Sequence, residues 1–219
     1  MVKEYRLNAP AGGRYLVRPA GGGAPSPLLV GFHGWGLRAE DELRLLRSIP
    51  GSGGWSCCAV EGLYPVTRRD GEEGRSWMAP SERERRIREN VGYVDGVIEA
   101  VLGSFPHDGR LVLHGFSQGA QMAVRSALLG RHGVSAVMMV GGDIPPESTG
   151  LSGMGRVHIA RGTRDPLYRE ELHLQDLRRL GADGVDAEGL VFSGAHHPEA
   201  VYLEGAGAFL RGVLSRSAL

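Results

Sequence analysis

The residues best placed to do chemistry together are one serine, a small set of late histidines and an aspartate. Ser117 lies in Gly115-Phe116-Ser117-Gln118-Gly119, a G-x-S-x-G pentapeptide of the kind that lifts a serine hydroxyl above a sheet on a strained strand-to-helix turn. Its glycines leave room where any Cβ would meet neighbouring backbone. In a chain with 35 glycines, chance alone supplies about 0.4 such matches, so the surroundings decide its worth. A serine hydroxyl is a weak nucleophile and needs a base, and at such turns the partners follow in the order serine, acid, histidine. That order filters the eight histidines. His33, His107 and His114 precede Ser117, and His132 and His158 precede the best acid, which leaves His173, His196 and His197. His173 is expected on the exposed face of a helix. His196 is favoured over His197 because Gly194-Ala195-His196 makes a short turn after the last strand. The acid is Asp165, in Arg161-Gly162-Thr163-Arg164-Asp165-Pro166, where the proline fixes the turn that follows. Asp143, in Gly141-Gly142-Asp143, is the alternative acid, and Asp176, Asp183 and Asp186 are expected to be solvated. A tetrahedral intermediate needs two backbone donors. Gln118 N–H is one, and Trp35 N–H in His33-Gly34-Trp35-Gly36 is the other. The chemistry of such a set is acyl transfer to serine and then to water.

These residues need elements to hold them. A short apolar run over residues 27–32 enters the His33-Gly34-Trp35-Gly36 loop, and 110–114 precedes the serine turn, both reading as strands buried on two faces. Further buried strands are expected at 57–60, 134–140, 156–160 and 186–192. Helices are predicted over 39–48, 120–129, 169–180 and 198–214, the last with Pro198 near its first turn. Ser81-Glu82-Arg83-Glu84 reads as a capping box opening a long helix whose Ile87, Val91, Val94, Ile98, Val101 and Phe105 keep helical spacing. Residues 4–8 and 14–18 alternate around Ala9-Pro10-Ala11-Gly12-Gly13, a hairpin at a sheet edge. Residues 61–80 read as irregular and 141–155 as a loop. Alternating strands and helices predict an α/β fold, with a mostly parallel central sheet covered by helices on both faces, compact and without a large cap domain. A chain of 219 residues suits a single domain over 1–219.

Composition narrows the classes. Lys+Arg 25 against Asp+Glu 25 provides no footprint for nucleic acid or an anionic membrane. No apolar run approaches the length of a spanning helix, and the start lacks a secretory pattern. Adjacent Cys57 and Cys58 suit buried packing better than a disulfide, so a reducing, cytoplasmic location is expected. The histidines lack metal-motif spacing, so no metal and no other cofactor is expected. Trp35, Trp77 and Met78 are candidates for an apolar acyl pocket. Arg83, Arg85, Arg86 and Arg88 interleave with glutamates and read as a solvated helix face.

Taken jointly, the His33-Gly34-Trp35-Gly36 loop, the Ser117 pentapeptide, the Asp165 hexapeptide and Gly194-Ala195-His196 resemble the α/β-hydrolase superfamily. Within it they resemble the compact phospholipase/carboxylesterase family that includes the acyl-protein thioesterases. The resemblance spans most of the chain. It implies Ser117, Asp165 and His196 as a triad, Trp35 and Gln118 N–H groups as the oxyanion hole, and cofactor-free hydrolysis of a small-molecule ester or thioester by a monomer or homodimer. A carboxylesterase is the first expectation, with acyl-protein thioesterase or lysophospholipase as alternatives. A non-catalytic binding protein on the same fold is the alternative of another class. Members of the family often carry an acidic residue after the oxyanion-loop glycine. Leu37 stands there in this chain.

Overall fold

A computed structural model describes residues 1–7 and 12–215. Among the described residues, ten strands and five α-helices follow in order: β1 (Lys3–Leu7), β2 (Gly13–Arg18), β3 (Ser26–Phe32), α1 (Ala39–Ser48), β4 (Ser56–Val60), β5 (Tyr64–Thr67), β6 (Glu73–Ser76), α2 (Arg83–Ser104), β7 (His107–Phe116), α3 (Gln118–Leu129), β8 (Ala136–Val140), β9 (Arg156–Gly162), α4 (Glu170–Ala182), β10 (Ala187–Phe192) and α5 (Ala200–Ser215). Eight strands form one sheet in the order β1-β2-β4-β3-β7-β8-β9-β10. The β1–β2 and β2–β4 pairings are antiparallel, and every pairing from β4 onward is parallel. The hairpin turn expected at Ala9-Pro10-Ala11 lies outside the described residues.

Burial explains the layers. Along β7, Leu111 and Leu113 point to one core, shared with Ile87, Val94, Ile98 and Val101 of α2 and with α3, while Val112 and Phe116 point to the other, shared with α1 and α5. Alternate side chains of a strand face opposite ways, so a wholly apolar strand needs helices on both sides. Each of those α2 side chains contributes about 1.5–3 kcal/mol by leaving water. Among the described residues no helix is long and apolar enough to cross a membrane.

Register brings the chemistry to one edge. Phe32 pairs with Gly115, Phe116 with Val140, and Phe192 with Gly162, so β3, β7, β8, β9 and β10 end together. The loops carrying residues 33–36, 117, 141–143, 163–168 and 193–197 therefore all leave the carboxyl edge of the sheet, where open α/β sheets form their sites.

Two local expectations fail. Residues 61–80 are not wholly irregular, because β5 and β6 pair as a separate antiparallel hairpin. The helix α2 has no capping box. Its N-cap is Glu82 rather than Ser81, with φ 58° and no side-chain cap, and the Glu82 carboxylate pairs with Arg85 and Arg86.

Candidate active site

Ser117 occupies the turn between β7 and α3 at φ 54°, ψ −120°, a region that costs a non-glycine residue about 1–3 kcal/mol and persists only where surroundings over-determine it. They do so here. Ser117 N–H donates to the Val140 carbonyl at 2.9 Å, and the Ser117 carbonyl accepts from Ala120 N–H at 3.0 Å. Both glycines of the pentapeptide are sterically required. A Cβ on Gly115 would meet Ala120 backbone at 2.5 Å, and one on Gly119 would overlap the Phe32 carbonyl and stand 2.7 Å from the His33 carbonyl oxygen.

A continuous hydrogen-bonded chain runs from that serine. His196 Nδ1 lies 2.9 Å from Asp165 Oδ2 and His196 Nε2 lies 2.8 Å from Ser117 Oγ. An ionised carboxylate only accepts, so Nδ1–H donates to Asp165 and Nε2 accepts the serine O–H. The Asp165 carboxylate, 4% exposed, is held from behind by the Leu167 and Tyr168 N–H groups, which donate to Oδ1 at 2.9 and 3.0 Å. Phe116 packs its ring 5.2 Å from the imidazole. His197 is exposed and its N–H donates to Ala195, so of the paired histidines only His196 reaches the serine. Asp143 lies apart from the imidazole chain, accepting from Gln121 Nε2 at 2.8 Å.

The loop after β3 abuts the serine, since a Cβ on Gly34 would lie 3.3 Å from Ser117 Cβ. His33, fully buried, directs this loop. Its Nε2 accepts from Gly62 N–H at 2.9 Å, which leaves Nδ1–H to donate to the Gly34 carbonyl at 2.7 Å. Leu37 N–H donates to the same carbonyl. No described peptide bond is cis, and in a trans peptide N–H and C=O point in opposite directions. Anchoring Gly34 C=O on His33 therefore turns Trp35 N–H the other way. Burial pushes the His33 pKa down, in keeping with a neutral ring that donates at one nitrogen and accepts at the other. The β5–β6 hairpin steadies the loop from outside, with Gly36 N–H donating to Arg75 and Arg75 N–H to Leu37.

The phospholipase/carboxylesterase family model matches residues 73–166, a span holding Ser117, Gln118 and Asp165. Solved structures of the same fold include a carboxylesterase from Mesorhizobium loti, 20% identical, with 95% of this chain and 99% of that chain covered and a TM-score of 0.76. Another is Zea mays acyl-protein thioesterase 2, at 18% identity, 93% and 100% coverage and a TM-score of 0.70. The Bacillus cereus carboxylesterase is 17% identical, with 92% and 94% covered and a TM-score of 0.70. No curated protein matches the chain. The chain is similar to the phospholipase/carboxylesterase family over that matched span and shares the fold of these solved structures along most of its length. His196 and the His33–Gly36 loop lie outside the matched span, and the parallel sheet carries them to its edge.

The three pocket candidates part ways. Trp35 is 51% exposed on the loop beside the serine. Trp77 is a correction, being 1% exposed with no face to offer a substrate. Its indole N–H donates to the His33 carbonyl, its backbone N–H to Gln118 Oε1, and its carbonyl accepts from Asn90, so it clamps the His33–Gly36 loop to α2 and α3. Met78 is half-buried against the same core. Two polar residues also sit deeper than expected. His173 is buried edge-on against Tyr168, and Asp176 is buried and accepts from Ile144 N–H and Tyr168 O–H, because α4 turns that face onto the loop after β8.

Behind the site lies a polar chain absent from the sequence reading. His114, three residues before Ser117 on β7, donates from Nδ1 to Glu42 of α1 at 2.6 Å and accepts at Nε2 from Tyr202 O–H of α5 at 2.8 Å. All three are buried. His158 of β9, also buried, packs on Tyr202 and Phe209. The spacing of these residues carries no motif, since four separate elements supply them. Among the described residues, no group of three or more His, Cys, Asp or Glu side chains is arranged to hold a metal.

Proposed function

We propose that this protein is a serine carboxylesterase in which Ser117 is the nucleophile, His196 the acid–base and Asp165 its orienting partner. The observation that carries the reading is the unbroken chain Asp165 Oδ2, His196 Nδ1–H, His196 Nε2, Ser117 O–H at 2.9 and 2.8 Å. Ser117 Oγ attacks the acyl carbonyl as His196 Nε2 takes its proton. The oxyanion is received by Trp35 and Gln118 N–H groups. Collapse expels the alcohol, which takes the proton from His196, and water activated by the same nitrogen releases the acid and restores Ser117. Carboxylesterases and an acyl-protein thioesterase among proteins of this fold are in keeping with ester and thioester substrates alike.

The test is intact-protein mass spectrometry after a fluorophosphonate probe, on the wild type and on Ser117→Ala. One adduct, absent in the variant, is expected, together with a fall of at least about 10³-fold in kcat toward p-nitrophenyl esters. A folded wild type that takes no adduct and turns over no ester would instead favour a binding protein.

A further inference from the structure

A cleft of about 250 Å³ opens beside Ser117, lined among others by Gln121, Gly142, Asp143, Leu167 and Tyr168. It is small against the usual 300–1,000 Å³ of a ligand site, so it takes a group of few atoms. Two observations place it on the side of the base. Its wall includes Gly141, where a Cβ would lie 3.2 Å from the His196 ring, and Leu167 and Tyr168, whose N–H groups hold Asp165. The group that leaves takes its proton from that imidazole, so the cleft receives the alcohol rather than the acyl chain.

The charge inside it has one sign. No arginine, lysine or histidine is among the residues lining the cleft, and its one formal charge is the half-buried Asp143 carboxylate. A single neutral donor, Gln121 Nε2–H at 2.8 Å, occupies Oδ1. The negative charge of Asp143 reaches its neighbours: the Tyr168 pKa is pushed up by burial, then by Asp176 and then by Asp143, and that of Asp176 by burial and then by Asp143. A carboxylate facing a cleft without a counter-charge favours a cation there. Resting on the esterase reading, we propose that this cleft recognises esters of cationic alcohols, an ammonium on the leaving group standing against Asp143. Water cleaves the ester bond, giving the free acid and the ammonium alcohol.

The experiment compares kcat/KM for propionylcholine with that for 3,3-dimethylbutyl propionate, in which carbon replaces the charged nitrogen. The wild type is expected to prefer the cationic ester by about tenfold or more at low ionic strength, and the preference narrows as salt screens the half-exposed carboxylate. Asp143→Asn brings the ratio to about one. Tetramethylammonium should also inhibit wild-type turnover of the neutral ester competitively, a readout that needs no variant to fold. A wild-type ratio near one overturns the assignment and leaves the esterase reading intact. So does an Asp143→Asn enzyme that keeps the preference, or a wild type that takes the fluorophosphonate at Ser117 but turns over neither ester. Failure of both turnover and labelling removes the esterase reading and the cation site with it.

Discussion

His158 should make the fold acid-sensitive by a calculable amount. The ring is buried between Tyr202 and Phe209, centroids 5.8 and 5.4 Å away, and its Nδ1 has no hydrogen-bond partner. Burial, with a smaller contribution from nearby His114, lowers its pKa from 6.5 to about 4. The folded state therefore resists the proton that the unfolded chain accepts, and stability falls with pH through the window from about 6.5 down to about 4. At about 1.4 kcal/mol per pH unit the full loss is about 3 kcal/mol, of which about 2 kcal/mol is gone by pH 5. Urea unfolding at pH 8 and pH 5 should show the wild type losing about 2 kcal/mol more than His158→Leu, which fills the site with no titrating group. His33 and His173, also lowered by burial, act alike in both proteins and cancel from the comparison. Equal losses to within about 0.5 kcal/mol would refute the reasoning.

Other substitutions follow from the geometry of the site. Asp165→Asn removes the acceptor that fixes the His196 tautomer and should lower kcat by about 10⁴ with the melting transition retained; a fall under tenfold would deny Asp165 its role. Gly119→Ala forces a Cβ against the Phe32 and His33 carbonyls and should destabilise by about 3 kcal/mol, read as a lowered Tm with loss of fluorophosphonate labelling. An unchanged Tm would mean that the loop yields freely. Tyr202→Phe leaves buried His114 Nε2 without its donor and should cost about 1–3 kcal/mol in chemical denaturation, whereas a neutral result would mean that the His114 chain adds nothing to stability.

What could be read from the chain depended on how local its physics is. Helix α1 forms over residues 39–48 as expected, because Leu43 and Leu46 mark its buried face. Strand β7 and the Ser117 turn carry their own glycine requirement. The hairpin β5–β6 is hard to read because Tyr64–Thr67 and Glu73–Ser76 are only four residues each and Glu73–Ser76 has no large apolar side chain to mark a face. His173 and Asp176 read as solvated because helical spacing reveals a face but not its neighbour. The ambiguity between His196 and His197 has the same origin. Adjacent residues share a loop, and only the packing of Phe116 and the carboxylate behind it distinguishes one ring from the other. Nor could spacing tell Trp77, a clamp, from Trp35, a surface residue. His33 was the recoverable omission. It stands next to Gly34, and a histidine there has the reach to hold that residue's carbonyl.

The uneven exposure of the tryptophans gives the molecule an optical reporter. Three indoles account for the tryptophan emission; Trp55 is 0% and Trp77 1% exposed, while Trp35 is 51% exposed. Iodide, which stays in water, can therefore quench the fluorescence of Trp35 and leave the other two bright. Because Trp35 rides on the loop that abuts Ser117, the quenched fraction of the emission reports on the surroundings of that serine. An ester analogue that seats against that indole will shield it from iodide, turning occupancy into a change in light that can be followed without any chromogenic leaving group.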